Sequence, residues 1–278
     1  MSQFVVYHQG KKVQAERPIT SMAHEEDIGL FESLRTYGGK KIFREEEHLK
    51  RFQETVRSIH YPFSISTAKI RQELHQALKS YQEEHPQNAK ESLFIRLSVW
   101  EQQIYVMIGT RKHPHHLYEK GVNLQTSPVK RTHVNAASAQ VKTSAYHNGF
   151  LARLEIKASE TYEWIFLNAQ GYITEVSIGN LFLVKKKQLI TPPQDGILNG
   201  MTRGVVVECA LRNRILVQEK LFTRHDVYNA DEVFLTNTSW EILPVASLDG
   251  RKIGTHLPGP VTQQLQKTFK LIVKEENA

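Results

Sequence analysis

The sequence predicts an α+β fold of two domains, each built on largely antiparallel sheet flanked by helices. Three observations lead there. Strand-like runs are repeatedly joined across glycine-bearing turns, apolar residues recur at helical spacing in several segments, and one polar, proline-broken stretch separates two halves. No internal repeat or low-complexity tract interrupts the pattern.

In chain order, FVVYHQGKKVQ reads as a hairpin about Gly10, and GLFESLRTYGGKKIF as a second turning at Gly38-Gly39. Leu49, Phe52, Val56 and Ile59 predict a helix between Glu45 and His60; Ile70, Leu74, Leu78 and Tyr81 predict another from Thr67 to Tyr81. SLFIRLSVW and QIYVMIGT add two strands and complete a domain over residues 1–110. RKHPHHLYEKG, residues 111–121, reads as the interdomain linker. Its His113, His115 and His116 are taken as solvated, since nothing in the segment orients them for a metal. The second domain, 122–278, begins with a strand at Val122 to Ser127 and a helix at about Tyr146 to Ser159. A hairpin EWIFLNAQGYIT turns at Asn168 to Gly171, and YITEVSIGNLFLV, residues 172–184, reads as one buried strand. Lys185 to Lys187 fit a solvated hairpin turn. The loop TPPQDGILNG, a helix from Thr202 to Asn213, the strand EVFLTN and a last helix from Val261 to Lys274 follow.

Composition narrows the function. The 278 residues are 40% hydrophobic, enough for real cores, and no apolar run approaches the roughly 20 residues that cross a bilayer. At the start only Phe4 to Val6 is apolar, too short for a signal-peptide core, so a cytoplasmic protein with no membrane partner is expected. The single cysteine, Cys209, excludes an intramolecular disulfide framework and a cysteine-cluster zinc site; in GVVVECAL it reads as packing. The net charge of +7 suits an anionic ligand, but the basic residues are dispersed and no nucleic-acid module is present.

Two residues stand out chemically. Lys142 is the only charged group in NAASAQVKTSAYHNGF apart from any proton on His147, and a desolvated lysine is a nucleophilic amine able to form a Schiff base. Glu175 lies among Ile173, Val176, Ile178, Leu181 and Phe182, where a carboxylate needs a fixed cation or protonated partner to stay charged. That partner is either an arginine or a ring nitrogen that must keep its proton, as in pyridoxal phosphate. An anion site is available in GILNGMTR, where Gly200 precedes a helix opening around Met201-Thr202. Arg51, one position before Phe52 on the apolar stripe of its helix, can lie at the edge of a cleft.

Together FESLRTYGGKKIFREEEHLKRF, FIRL, KTSAY, IFLNAQGYITEVSIGNLFLV, TPPQDGILNGMTR, DEVFLTNTSWEILPV and LPGPVTQQLQKTF resemble the class IV aminotransferases. These are the fold type IV pyridoxal-phosphate enzymes, a D-amino-acid aminotransferase-like fold shared by branched-chain aminotransferases and aminodeoxychorismate lyases. The resemblance implies pyridoxal 5′-phosphate as cofactor, a homodimer, and Lys142 as the catalytic Schiff-base lysine. It further implies Glu175 as partner of the ring nitrogen in place of an arginine, Arg51 as a phosphate ligand and Tyr146 at the ring hydroxyl. Met201 and Thr202 match the phosphate turn, Thr238 and Ser239 a second loop, and Ile178 and Asn180 the end of the glutamate motif. Arg96, Phe31 and Asn237 fall on the substrate side. No metal is implied, and the acidic stretch His24 to Asp27 reads as a solvated loop.

Three departures bear on which member this is. Val176 stands where glycine is usual, HEEDIG replaces an aromatic and a glycine around Glu26, and Glu101 falls where D-specific enzymes carry an arginine. A carboxylate cannot clamp a substrate carboxylate, so D-specificity is not expected. EILPV and DGRKIGTHLPGPVTQQLQ favour an aminotransferase of small, branched-chain-like α-amino acids with a 2-oxo acid acceptor. FESLR, the lysine-to-tyrosine spacing and Thr236-Asn237 keep 4-amino-4-deoxychorismate lyase as the alternative, and a non-catalytic basic binding protein on the same scaffold as a minor one.

Overall fold

The computed structural model describes the chain except residues 1–3, 14–22, 25–26, 40, 62–64, 132–137, 145–150, 153–160 and 278, with side chains of 23–28 also outside the description. Of the expected helix at Tyr146 to Ser159 only Leu151 and Ala152 are described, both helical; the rest, with Tyr146, falls outside the described residues, as does the side-chain setting of His24 to Asp27. The chain forms two compact units, Met1–Lys112 with Val141–Ala145 and Glu275–Ala278, and His113–Gln140 with Tyr146–Lys274.

The first unit carries β1 (Val5–His8), β2 (Lys11–Val13), the short pair β3 (Ala23–His24) and β4 (Asp27–Ile28), β5 (Leu30–Arg35), β6 (Leu93–Trp100) and β7 (Gln103–Thr110). Its main sheet is antiparallel in the order β2-β1-β7-β6-β5. Gln9-Gly10 and Glu101-Gln102 close two-residue hairpins with positive φ at both positions, the handedness that matches strand twist. The expected hairpin at Gly38-Gly39 is reduced to a single bridge, Thr36 to Ile42, while β5 pairs along its length with β6.

Two helices complete this unit. α1 (Glu45–Ser58) starts at Arg44, which has φ 55° and offers no side-chain cap; Glu45, Glu46 and Glu47 in the first turn answer the exposed N–H groups and the dipole instead. α2 (Thr67–Glu84) is capped by Ser66, whose hydroxyl accepts the Lys69 N–H at 3.2 Å. α1 packs on β5 and α2 on β7, burying Leu49, Phe52, Ile70, Leu74 and Leu78 against Leu34, Ile95, Leu97 and Val106. Each such side chain contributes about 1.5–3 kcal/mol.

The second unit holds the short helix α3 (His116–Lys120), β8 (Val122–Thr126), β9 (Glu163–Leu167), β10 (Ile173–Val176), β11 (Asn180–Lys185), β12 (Gln188–Thr191) and α4 (Met201–Arg212). After these come β13 (Val217–Glu219), α5 (Arg224–Tyr228), β14 (Glu232–Asn237), β15 (Glu241–Leu248), β16 (Arg251–Lys252) and α6 (Pro260–Asn277), which belongs to this unit as far as Lys274. The sheet order is β10-β9-β8-β15-β14-β11-β12-β13, with β16 on β15; the pairs β8-β9, β8-β15 and β12-β13 are parallel and the others antiparallel.

Residues 172–184 are not one strand. The Val176 N–H donates to the Gly179 carbonyl at 3.0 Å, so Ser177 and Ile178 turn the chain between β10 and β11. A Cβ on Gly179 would stand 2.7 Å from the Thr236 carbonyl, so only glycine lets the turn lie this close to β14. Cys209 is fully buried on α4. Among the described residues no helix is long and apolar enough to cross a membrane.

Candidate active site

In the first unit, β5 alternates: Leu30, Glu32 and Leu34 are buried, while Phe31, Ser33 and Arg35 are partly exposed on the other face. A glutamate at the centre of an apolar face needs partners, and α1 provides two, three residues apart on one side of the helix. Arg51 donates from Nε to Glu32 Oε1 at 2.8 Å and from Nη2 to Oε2 at 2.6 Å; His48 Nδ1 lies 2.9 Å from Oε2. Burial alone would raise the Glu32 pKa. The charge of Arg51, with hydrogen bonds from His48 and Arg51, overcomes this and holds the carboxyl well below the usual range. Burial pushes His48 down against the pull of Glu32, and the charges of Arg51 and Lys142 act in the same direction as burial. A neutral His48 therefore donates its Nδ1–H to an oxygen that can only accept.

Lys142 sits beside the same strand. Thr143 forms an antiparallel bridge with Leu30, Phe31 N–H donates to the Lys142 carbonyl at 3.4 Å, and Ser144 N–H to the Gly29 carbonyl at 2.7 Å. The Lys142 N–H reaches Thr55 Oγ1 of α1 at 3.4 Å. Lys142 Nζ is 4.4 Å from the centroid of the Phe31 ring, and Arg96 Cζ is 3.8 Å from that same centroid. The structure thus gathers Lys142, Phe31 and Arg96, with Arg51 one turn before Thr55 on the neighbouring helix.

In the second unit Glu175, on β10, is 2% exposed. Its Oε1 pairs with Arg131 Nη2 at 2.8 Å, while Oε2 accepts the Leu198 N–H at 3.1 Å and a longer contact of 3.4 Å from Asn180 Nδ2. The expectation that no arginine faces this carboxylate is corrected: Arg131 pairs with one of its two oxygens. The Leu198 N–H and the Asn180 amide add donors from two further segments.

Asn180 ties this acid to the following helix. Its Nδ2 donates to the Leu198 carbonyl at 2.8 Å, and its Oδ1 lies 2.2 Å from where a Cβ on Gly200 would sit. Gly200 is the N-cap of α4 and provides no side chain, so the first N–H groups at Met201 and Thr202 remain those of a bare helix end. Arg203, buried, fixes the turn by pairing with Glu219 at 2.8 Å and donating to the Pro192 carbonyl at 3.3 Å.

The loop after β14 is set by Asn237, whose Oδ1 accepts the N–H groups of Ser239 and Trp240 at 2.8 and 2.9 Å and whose Nδ2 donates to the Ile178 carbonyl at 2.9 Å. Thr238 is partly exposed in that loop, and Ile178, half exposed, tops the neighbouring turn. Ser239 is buried, with its Oγ 2.9 Å from His113 Nε2. His113 is therefore not a solvated linker residue: it is partly buried, against Ser239 and edge-on to Trp240, whereas His115 and His116 are exposed.

Sequence reasoning did not find Arg131, Glu32, His48 or Thr55. Glu32 alone carried a local signal, a charge at an inward position of an alternating strand.

Known proteins resemble this chain in sequence and fold. The family model described as "Amino-transferase class IV" matches residues 29–248. The branched-chain-amino-acid aminotransferase of Pseudomonas aeruginosa is 31% identical over 95% of this chain and 91% of its own. The structure of the Thermoproteus uzoniensis branched-chain aminotransferase with norvaline superposes with a TM-score of 0.79 at 29% identity, covering 98% of this chain and 95% of that one. A solved branched-chain amino acid aminotransferase with pyridoxamine 5′-phosphate gives 0.81 at 27% identity, covering 98% and 94%. These likenesses bear out the expected fold and enzyme class. The chain belongs to the class IV aminotransferase family, the pyridoxal-phosphate-dependent enzymes of fold type IV.

Proposed function

We propose that this aminotransferase acts on small, branched-chain-like α-amino acids and passes the amino group to a 2-oxo acid. The observation that carries the reading is the placing of the Lys142 amine on the Phe31 ring with Arg96 beside it, an amine and a carboxylate-binding cation against an apolar wall. Similarity to enzymes named for branched-chain amino acids supports the substrate class, as does a solved relative complexed with N-(5′-phosphopyridoxyl)-L-glutamate for the acceptor.

The residues present fit pyridoxal phosphate: a lysine amine, a carboxylate fixed as the anion, and an uncapped helix N-terminus with an arginine. When bound, the cofactor supplies an aldehyde that condenses with amines and a ring that accepts electrons from the α-carbon. Lys142 would hold the cofactor through Nζ and, with that amine free, would take and return the substrate's α-proton. Glu175 supplies the negative charge that keeps a ring nitrogen protonated. Arg51, the N–H groups at Met201 and Thr202, and the Thr238-Ser239 loop hold the phosphate. Ile178 and Asn180 shape the turn beneath it, and Tyr146 serves the ring hydroxyl. Phe31, Arg96 and Asn237 line the substrate side, Asn237 by fixing its loop. We further propose a cytoplasmic homodimer, on the family resemblance.

The test is direct. Incubation with leucine, isoleucine or valine plus 2-oxoglutarate is expected to form glutamate, and Lys142→Ala to lower that rate by about 10²–10⁴-fold. Release of 4-aminobenzoate from aminodeoxychorismate, without glutamate formation in the first assay, would replace the transferase reading with the lyase.

A further inference from the structure

Glu32 and His48 have no part in the mechanism above, yet both are buried: Glu32 pairs with Arg51, and His48 holds Glu32. The side-on pairing through Nε and Nη2 fixes the plane of the guanidinium and turns its Nη1 edge away from Glu32. His48 holds the shared oxygen from the other side, so the carboxylate cannot swing off the arginine without losing a second hydrogen bond. All three side chains are more than nine-tenths buried, which removes the water that would otherwise let the guanidinium reorient.

We propose that Glu32, braced by His48, is a positioning residue that presets Arg51 for a phosphate group. The inference rests on the reading of Arg51 as a phosphate ligand. A flexible arginine would lose its freedom each time a phosphate bound; an arginine already locked by a buried carboxylate does not. His48 contributes as a neutral donor, so the cluster carries one positive and one negative charge and accepts a dianion without a second cation in a buried place.

The experiment compares two probes that differ only in the phosphate, pyridoxal 5′-phosphate and pyridoxal. The purified holoenzyme is freed of cofactor by amine substrate and dialysis, then titrated with each probe and followed by visible absorbance and tryptophan fluorescence. Glu32→Gln keeps the shape and removes the charge. It is expected to raise the Kd for pyridoxal phosphate by about 10- to 100-fold, the usual cost of removing the partner that orients a ligand, and to leave that for pyridoxal little changed. His48→Gln is expected to act in the same direction by a smaller factor. Equal loss for both probes, or no loss for either, overturns the proposal.

Arg51→Gln separates the two layers of inference. Phosphate-selective weakening in Arg51→Gln but not in Glu32→Gln removes the positioning role and leaves Arg51 a ligand. No phosphate-selective effect in Arg51→Gln removes Arg51 as a ligand, and the positioning role with it. Should Glu32→Gln fail to fold, Glu32→Asp keeps the charge and retracts it by one methylene. It must show the same phosphate-selective loss, and its absence overturns the proposal.

Discussion

Glu32 and Glu175 are both strand carboxylates buried to within a few per cent, and both meet an arginine, but they are held in different ways. Glu32 is gripped by two side chains of a single helix, three residues apart on α1. Glu175 is gripped from three places: Arg131 ahead of β9, the Leu198 backbone in a loop, and Asn180 at the start of β11. A helix delivers its side chains at a fixed spacing, so the first arrangement depends on the charges alone. The second depends on loop backbone as much as on charge, and so on glycines at positions where a side chain would collide.

Removing the arginine is the strongest test of that contrast. Arg51→Met strips Glu32 of its guanidinium, leaving a neutral histidine on the carboxylate, and is expected to destabilise by about 3–5 kcal/mol. Arg131→Met keeps the Leu198 N–H and the Asn180 amide on Glu175 and is expected to cost less, about 1–3 kcal/mol. Urea denaturation of the two variants reads the difference, and an equal or reversed order breaks the comparison. Gly200→Ala tests the backbone side of it. The new methyl meets Asn180 Oδ1, with an expected loss of about 1–3 kcal/mol in the same assay and weaker cofactor retention, whereas alanine at Gly204, which has nothing near it, is expected to do neither.

Acid should separate the two regions with a smaller effect. The folded pKa of His48 lies below its ordinary 6.5, so as pH falls from about 7 the unfolded chain binds the proton more readily. Stability carried by neutral His48 is present above 6.5 and is lost below it, and Glu32 adds a further loss below its ordinary 4.5. The depressed groups of the second unit, Glu219, Asp226 and Asp249, are carboxylates with ordinary values of 4.5 and 3.8, so their loss starts lower. Amide exchange corrected for intrinsic rates is expected to show β5 and α1 loosening near about pH 5.5 before α4 and β14, and His48→Gln to abolish that lead. The smallest effect belongs to the exposed Arg71–Glu46 pair, where Glu46→Ala should change stability by about 0–1 kcal/mol.

Much of this arrangement was legible locally. The stripe Leu49, Phe52 and Val56 gave α1, Gly10 gave the first hairpin, and Lys186-Lys187 turn between β11 and β12 with φ of 50° and 63°. Lys142 stood out as a lone charge in an uncharged stretch, and Glu175 as a carboxylate in an apolar one. What stayed hidden is tertiary. β15 runs through Pro244 opposite Phe234, a strand the sequence reading did not include. The apolar run from Ile173 to Val184 gave no sign that Gly179 would fold it back on itself, because the reason lies in the Thr236 carbonyl on another strand. Arg131 follows Lys130 in a polar segment, and nothing near it in sequence says that it will find Glu175.

Asn180 touches Glu175, the Leu198 carbonyl and the space over Gly200 with one amide group. A molecule seizing the start of α4 would therefore quieten the fluctuations of an acid it had not yet reached. Recognition at the helix end and readiness at the carboxylate become two readings of a single mechanical state.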